Sequence, residues 1–220
     1  MSDERTIARL WLEAVAAGRP GPAYLVERDD TWLEVGWPEA AERVRTLANG
    51  LLALGLRTGD TFGILARTSL EWALFDFALA HVGAVGTPIY PSSSTADVRY
   101  VLEHSEAVGV LCEDAEQLGR VEEIRAGLPR LRHVLGYDGL DALERAGAAY
   151  ADEHPHALDE AVAAIREDDL FTIIYTSGTT GPPKGCMISH RNYYAMVSVV
   201  DGLEDYVEPG DVMLLYLPLA

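Results

Sequence analysis

Lysine is almost missing from this sequence: of 17 basic residues in 220, Lys184 alone is a lysine and the others are arginines. Basic charge as a whole is scarce. Set against 35 acidic residues, it leaves a formal net charge of −18 and a pI near 4.6. That balance argues against nucleic acid or an anionic membrane as a general partner, because both are polyanions that need a basic face. Any anion must therefore be held by a local site. Cysteine is limited to Cys112 and Cys186, far apart and in no C-x-x-C pair, which suits reduced thiols rather than a disulfide frame. Long apolar runs are absent too. The most apolar stretch, ALFDFALAHVGAVGTPIY, is interrupted by Asp76, His81 and Pro88 and falls short of the roughly 20 residues of a membrane helix, so no transmembrane segment is expected. The opening MSDERTIARLWLEAV holds no cleavable apolar region, so the chain is expected in the cytosol, any membrane contact being peripheral. No internal repeat or low-complexity tract occurs.

What is present is an alternation of helix-like and strand-like segments. In WPEAAERVRTLANGLLALGL, Pro38 suits a first helical position, and Val44, Leu47, Leu51 and Leu54 recur at three and four to mark one apolar face. Gly55 can end it. The run TFGILA (61–66) reads as a strand, and SLEWALFDFALAHV as a helix with Trp72, Phe75, Leu79 and Val82 on one side, stopped by Gly83. GTPIY reads as a strand, SSSTADVRYVLEHSE as a capped helix, AVGVLCE as a strand, EDAEQLGRVEEIRAG as an acidic helix and RHVLGY as a strand. Then LDALERAGAAYADEHPHALDEAVAAIREDD suggests two short solvated helices around His154-Pro155-His156, a covering layer before the next strand. The alternation implies an α/β fold whose mostly parallel strands are joined by crossover helices.

The next strand, LFTIIYT, delivers the chain into YTSGTTGPPKG, Tyr175 to Gly185, where the one lysine lies. A glycine-rich loop at a strand end can turn several backbone N–H groups toward one anion, since glycine admits the positive φ angles such a nest needs. Thr176, Ser177, Thr179 and Thr180 add hydroxyls, and Lys184 adds a compact charge on a flexible stem, suited to a departing polyphosphate where arginine would offer a rigid fork. The P-loop of nucleotide triphosphatases, G-x-x-x-x-G-K-[ST], does not fit. Counted from Gly178, Pro183 stands where glycine is required and Gly185 where Ser or Thr is required. The following GCMISH is strand-like and RNYYAMVSVV helical, so the loop is expected to join two strands.

The stretch YTSGTTGPPKGCMISHRN, Tyr175 to Asn192, closely resembles the phosphate-loop signature of adenylate-forming (AMP-binding) enzymes: acyl-CoA synthetases, adenylation domains of peptide synthetases and luciferases. Cys186 replaces a more usual valine and Ser189 a more usual threonine. The segment AHVGAVGTPIYPSSSTADVRYVLEHSEA resembles the corresponding part of long-chain fatty acyl-CoA synthetases, and DVMLLYLPLA the strand that follows the phosphate loop. The resemblance implies that residues 1–220 are the amino-terminal portion of an AMP-binding large domain, incomplete at its carboxy end. It implies a parent that activates a fatty acid with ATP to an acyl-adenylate and passes the acyl group to coenzyme A, with Mg²⁺ as metal. By the same resemblance Thr176 lies near the metal, Ser177, Gly178, Thr179, Thr180 and Gly181 wrap phosphate, and Lys184 neutralises it. No nucleophile or base is among them. The segments that orient the nucleotide in the family are missing, so these residues alone are expected to be inactive. The alternatives are a noncatalytic fragment that at most binds phosphate, or an adenylating ligase for another carboxylic acid; the oligomeric state is left open.

Several other residue groups have simpler readings. His154-x-His156 beside Pro155 reads as a solvated turn rather than a metal site. Ser92, Ser93 and Ser94 lack a G-x-S-x-G frame and read as helix capping. Trp72, Phe75 and Phe77 read as core. His190, after the second strand of the loop, could cap, orient or simply pack.

Overall fold

A computed structural model describes residues 4–176, 182–201 and 210–215. Residues 4–36 hold elements that the sequence pattern does not predict. Helix α1 (Ile7–Ala16) is capped by Thr6, whose side chain accepts from the Arg9 N–H, and it buries Ile7, Ala8 and Trp11. A hairpin, β1 (Tyr24–Arg28) with β2 (Thr31–Val35), follows. Its turn residues Asp29 and Asp30 both take positive φ, 52° and 58°; this is the two-residue turn whose twist matches that of paired strands.

From α2 (Trp37–Ala53) onward the expected alternation is found: β3 (Thr61–Leu65), α3 (Leu70–Val82), β4 (Val85–Ile89), α4 (Thr95–His104), β5 (Gly109–Cys112), α5 (Ala115–Arg125) and β6 (His133–Gly136). Two further helices, α6 (Leu140–Glu153) and α7 (Ala157–Ala164), lead to β7 (Leu170–Thr176), β8 (Lys184–Ser189) and α8 (His190–Asp201). The strands form one six-stranded sheet in the order β6-β5-β3-β4-β7-β8, parallel except for the antiparallel β7–β8 pair. The loop of interest does join two strands.

The sheet is covered on both faces, which is why its central strands read as apolar runs rather than as an alternation. Phe62 and Ile64 of β3 turn to a cluster with Leu47 and Leu51 of α2, Leu74 and Phe75 of α3 and Leu143 of α6. Leu65, Val110 and Cys112 turn to the other face, against Val98, Val101 and Leu102 of α4 and Val121 of α5. Helix α3 is buried on more than the expected side: Leu74, Ala78, Ala80 and His81 are covered along with Trp72, Phe75, Leu79 and Val82. It ends where Gly83 takes the left-handed conformation at φ 70°, and Ser69 caps its start. Ser94 makes a reciprocal capping box with Asp97 at the start of α4, the capping role expected of that serine run.

Two expectations need correction. Helix α6 is not simply solvated: it buries Leu140, Leu143 and Gly147 against α2, because its small residues let the two backbones meet. Residues 211–215 of the closing segment form no strand, and Val212, Met213 and Leu214 are exposed, while 216–220 of the same segment lie outside the described residues. A strand needs a neighbour to satisfy its backbone groups, and none pairs with them among the described residues.

Candidate functional site

The carboxyl ends of the parallel strands lie along one edge, the side on which open α/β sheets bind ligands. Thr176 is the last residue of β7 and Lys184 the first of β8; they are opposite each other in the ladder, and both are exposed. The lone lysine and the threonine expected near the metal thus stand together at the mouth of the hairpin. Ser177, Gly178, Thr179, Thr180 and Gly181 lie outside the described residues.

The hairpin is held from both faces of the sheet. On one, Tyr100 of α4 donates its hydroxyl to the Pro183 carbonyl at 3.0 Å, and His104 Nδ1 is hydrogen-bonded to the Tyr175 hydroxyl at 2.8 Å. The Tyr100 and His104 rings stack with centroids 5.3 Å apart, and both meet Tyr175 edge-on. Burial pushes the Tyr175 phenol up to about 12, with the neighbouring Tyr100 adding to the effect, so it is a neutral hydroxyl at physiological pH. Nothing in the sequence marks Tyr100 and His104 as part of the site. Their i, i+4 spacing places them on one side of a helix, but nothing in the pattern names the loop they face.

At the base of the hairpin, His190 is fully buried at the start of α8. Its Nδ1 accepts from the Ile7 N–H at 3.2 Å, its backbone N–H donates to the Asp169 carbonyl at 3.0 Å, and its ring lies 5.5 Å from that of Phe171. His190 therefore both packs and orients, tying α1 to the strand pair. Phe171 is available for this contact because the β7–β8 register shifts between Leu170 and Thr172, leaving Phe171 without an opposite residue.

Burial pushes the His190 imidazole down to about 4, with the Asp169 charge opposing, and a buried neutral histidine makes stability fall in acid. Above about pH 6.5 the ring is neutral in both folded and unfolded chain; toward pH 4 only the unfolded chain takes up the proton. Asp76 of α3 acts with opposite sign: burial raises its carboxyl to about 7, so ionisation costs stability as pH rises. The two largely offset each other, and the histidine is isolated by comparison with a nontitrating variant. The stability gap between the wild type and His190→Asn is expected to shrink by about 2 kcal/mol between pH 7 and pH 4.5. Urea unfolding at the two pH values measures it; a constant gap would mean that His190 takes up its proton as readily in the folded chain as in the unfolded one.

His154 and His156 flank Pro155 in an exposed turn, and the His154 ring lies 4.5 Å from that of Tyr150. Among the described residues no group of three or more His, Cys, Asp or Glu is placed to hold a metal. Nor is any helix among them long and apolar enough to cross a membrane.

A six-stranded, mostly parallel sheet with a glycine- and threonine-rich hairpin at its carboxyl edge and one lysine across from a threonine defines a class. The chain belongs to the AMP-binding enzyme family, whose model matches residues 12–220. It is similar to the long-chain-fatty-acid–CoA ligase FadD15 of Mycobacterium tuberculosis, 40% identical over 211 residues, covering 92% of this chain and 35% of the ligase. In fold it resembles the long-chain-fatty-acid–CoA ligase FadD1 of Archaeoglobus fulgidus, with a TM-score of 0.74 at 20% identity over 92% of this chain and 41% of that one. It also resembles the anthranilate–CoA ligase AuaEII in complex with anthranoyl-AMP, with a TM-score of 0.73 at 21% identity over 93% of this chain and 37% of that one. The chain thus spans about a third of the length of the curated relative.

Proposed function

We propose that the chain is the amino-terminal portion, residues 1–220, of the AMP-binding large domain of a fatty acid–CoA ligase, and that it carries the site for the ATP phosphates. The observation that carries this reading is the pairing of Lys184, the one lysine, with Thr176 at the mouth of the β7–β8 hairpin. Similarity to a fatty-acid–CoA ligase at 40% identity favours a fatty acid over other acids; the fold alone does not choose, since an anthranilate–CoA ligase shares it.

In acyl-adenylate formation a carboxylate attacks the α-phosphorus of ATP and pyrophosphate leaves, so negative charge grows on the leaving group. Donors already aimed at that charge stabilise the transition state without reorganising. Lys184 Nζ would neutralise the β- and γ-phosphates, and Ser177 to Gly181 would offer hydroxyls and backbone N–H groups around them. Thr176 offers a neutral oxygen of the kind Mg²⁺ accepts, and that ion is usually held largely by the substrate's own phosphates. Bound Mg²⁺ would supply further charge neutralisation on the phosphates. Coenzyme A would take the acyl group in the second step.

Acid-dependent ATP–pyrophosphate exchange by the complete ligase containing this chain tests the reading. Long-chain fatty acids are expected to drive exchange, and amino acids are not. Exchange driven only by aryl acids would move the protein to another acid ligase, and no exchange with any acid would leave a protein that at most binds phosphate. The 220 residues alone are expected to give no turnover, since a nucleotide gripped only by its phosphates is not oriented at the α-phosphorus, and orientation accounts for several kcal/mol of barrier.

A further inference from the structure

We infer that Tyr100 and His104 of α4 are positioning residues for Lys184: one turn of helix grips both strands of the hairpin and sets the direction in which the lysine leaves it. The inference rests on the reading of Lys184 as the partner of the leaving pyrophosphate. Seven residues, 177–183, separate the two ladder positions Thr176 and Lys184, and a connection of that length does not by itself aim a lysine stem of four methylenes.

The contact at Pro183 supplies the aim. Its carbonyl and the Lys184 N–H belong to one rigid peptide plane, and proline's own φ is locked near −65°. Holding that carbonyl through the Tyr100 hydroxyl, at 3.0 Å, therefore orients the plane from which Lys184 departs. The opposite strand is tied to the same helical turn, through His104 Nδ1 and the Tyr175 hydroxyl at 2.8 Å. Tyr175 faces Gly185 across the ladder, and a Cβ on Gly185 would come 2.8 Å from Ile173 Cγ2 and 3.3 Å from Tyr175 Cζ. The absence of a side chain at Gly185 is thus what lets the Tyr175 ring close over the residue next to Lys184. The helix is a firm support, since Val98, Val101 and Leu102 bury it in the sheet and Ser94 with Asp97 caps it. Displacement of a charged group by about 1 Å can cost on the order of a hundredfold in rate, so a brace of this kind bears on adenylation.

A double-mutant cycle in the complete ligase is the test, read as the single-turnover rate of acyl-adenylate formation. Tyr100→Phe keeps the ring and removes the bond to Pro183. It is expected to slow adenylation about tenfold when Lys184 is present and less than about twofold in a Lys184→Met background, because its effect passes through the lysine. The apparent KM for ATP is expected to change less than the rate, and thioester formation from preformed acyl-adenylate to be unchanged, which also reports folding. If Tyr100→Phe does not fold, His104→Leu at its exposed helical position runs the same cycle from the other strand. Equal losses in both backgrounds, or no loss in either, would overturn the inference alone. A Lys184→Met variant that adenylates at the normal rate would overturn the phosphate reading of the hairpin, and this inference with it.

Discussion

Replacing Lys184 with Met in the complete ligase is expected to slow acyl-adenylate formation on the order of 10²- to 10³-fold, the loss typical when one preorganised donor to a developing anion is removed. ATP binding is expected to weaken far less. The charge that Lys184 meets is larger in the transition state than in bound ATP, because the bond to the α-phosphorus is breaking and its electrons move onto pyrophosphate. An interaction that strengthens along the reaction lowers the barrier more than it tightens the ground state. Lys184→Arg is expected to recover only part of the rate, since a planar guanidinium on an exposed strand end cannot follow the phosphate as a mobile ammonium does. Thioester formation from preformed acyl-adenylate is expected to be nearly untouched, as no pyrophosphate leaves in that step. Single-turnover measurement of the two half-reactions decides the matter. Equal slowing of both, or loss of folding, would make Lys184 a structural residue.

Gly147→Val is expected to destabilise the chain by at least about 3 kcal/mol. A Cβ at Gly147 would collide with the Thr46 carbonyl oxygen of α2 and lie 2.6 Å from the Gly50 backbone nitrogen. Gly50 answers from the other side, where a Cβ would come 2.5 Å from the Leu143 carbonyl oxygen. Backbone meets backbone at this crossing, so no rotamer change can make room and the helices must separate. Separation would uncover Leu47 and Leu143, both in the larger core cluster. Gly119, within α5, has nothing within 4 Å of a Cβ and no positive φ. Gly119→Ala is accordingly expected to stabilise by roughly 0.5 to 1 kcal/mol, through the smaller freedom of the unfolded chain. Urea denaturation of the 220-residue chain compares the two. A Gly147→Val cost below about 1 kcal/mol would mean that α2 and α6 are not in backbone contact.

The sequence alone was enough for the elements from α2 to β8, because each announces itself locally. Apolar positions at three and four mark α2, a short run dominated by Phe62, Ile64 and Leu65 marks β3, and glycine or serine stands where α3 stops and α4 starts. The hairpin was legible for the same reason: strand-forming residues flank a glycine-rich loop, and a single lysine stands at its end. What the sequence could not determine depends on residues distant along the chain. Helix α6 reads as an alanine-rich surface helix, and only its crossing with α2 turns Gly147 into a residue that cannot change. His190 offers several readings until α1, 183 positions away, presents the Ile7 N–H to it. Tyr100 and His104 look like ordinary helical residues until the parallel crossover sets α4 beside β7. Local pattern specifies which backbone conformation is cheap; which side chains then meet is settled by sheet order and helix crossing, where burial of apolar surface and satisfaction of buried polar groups must be met together.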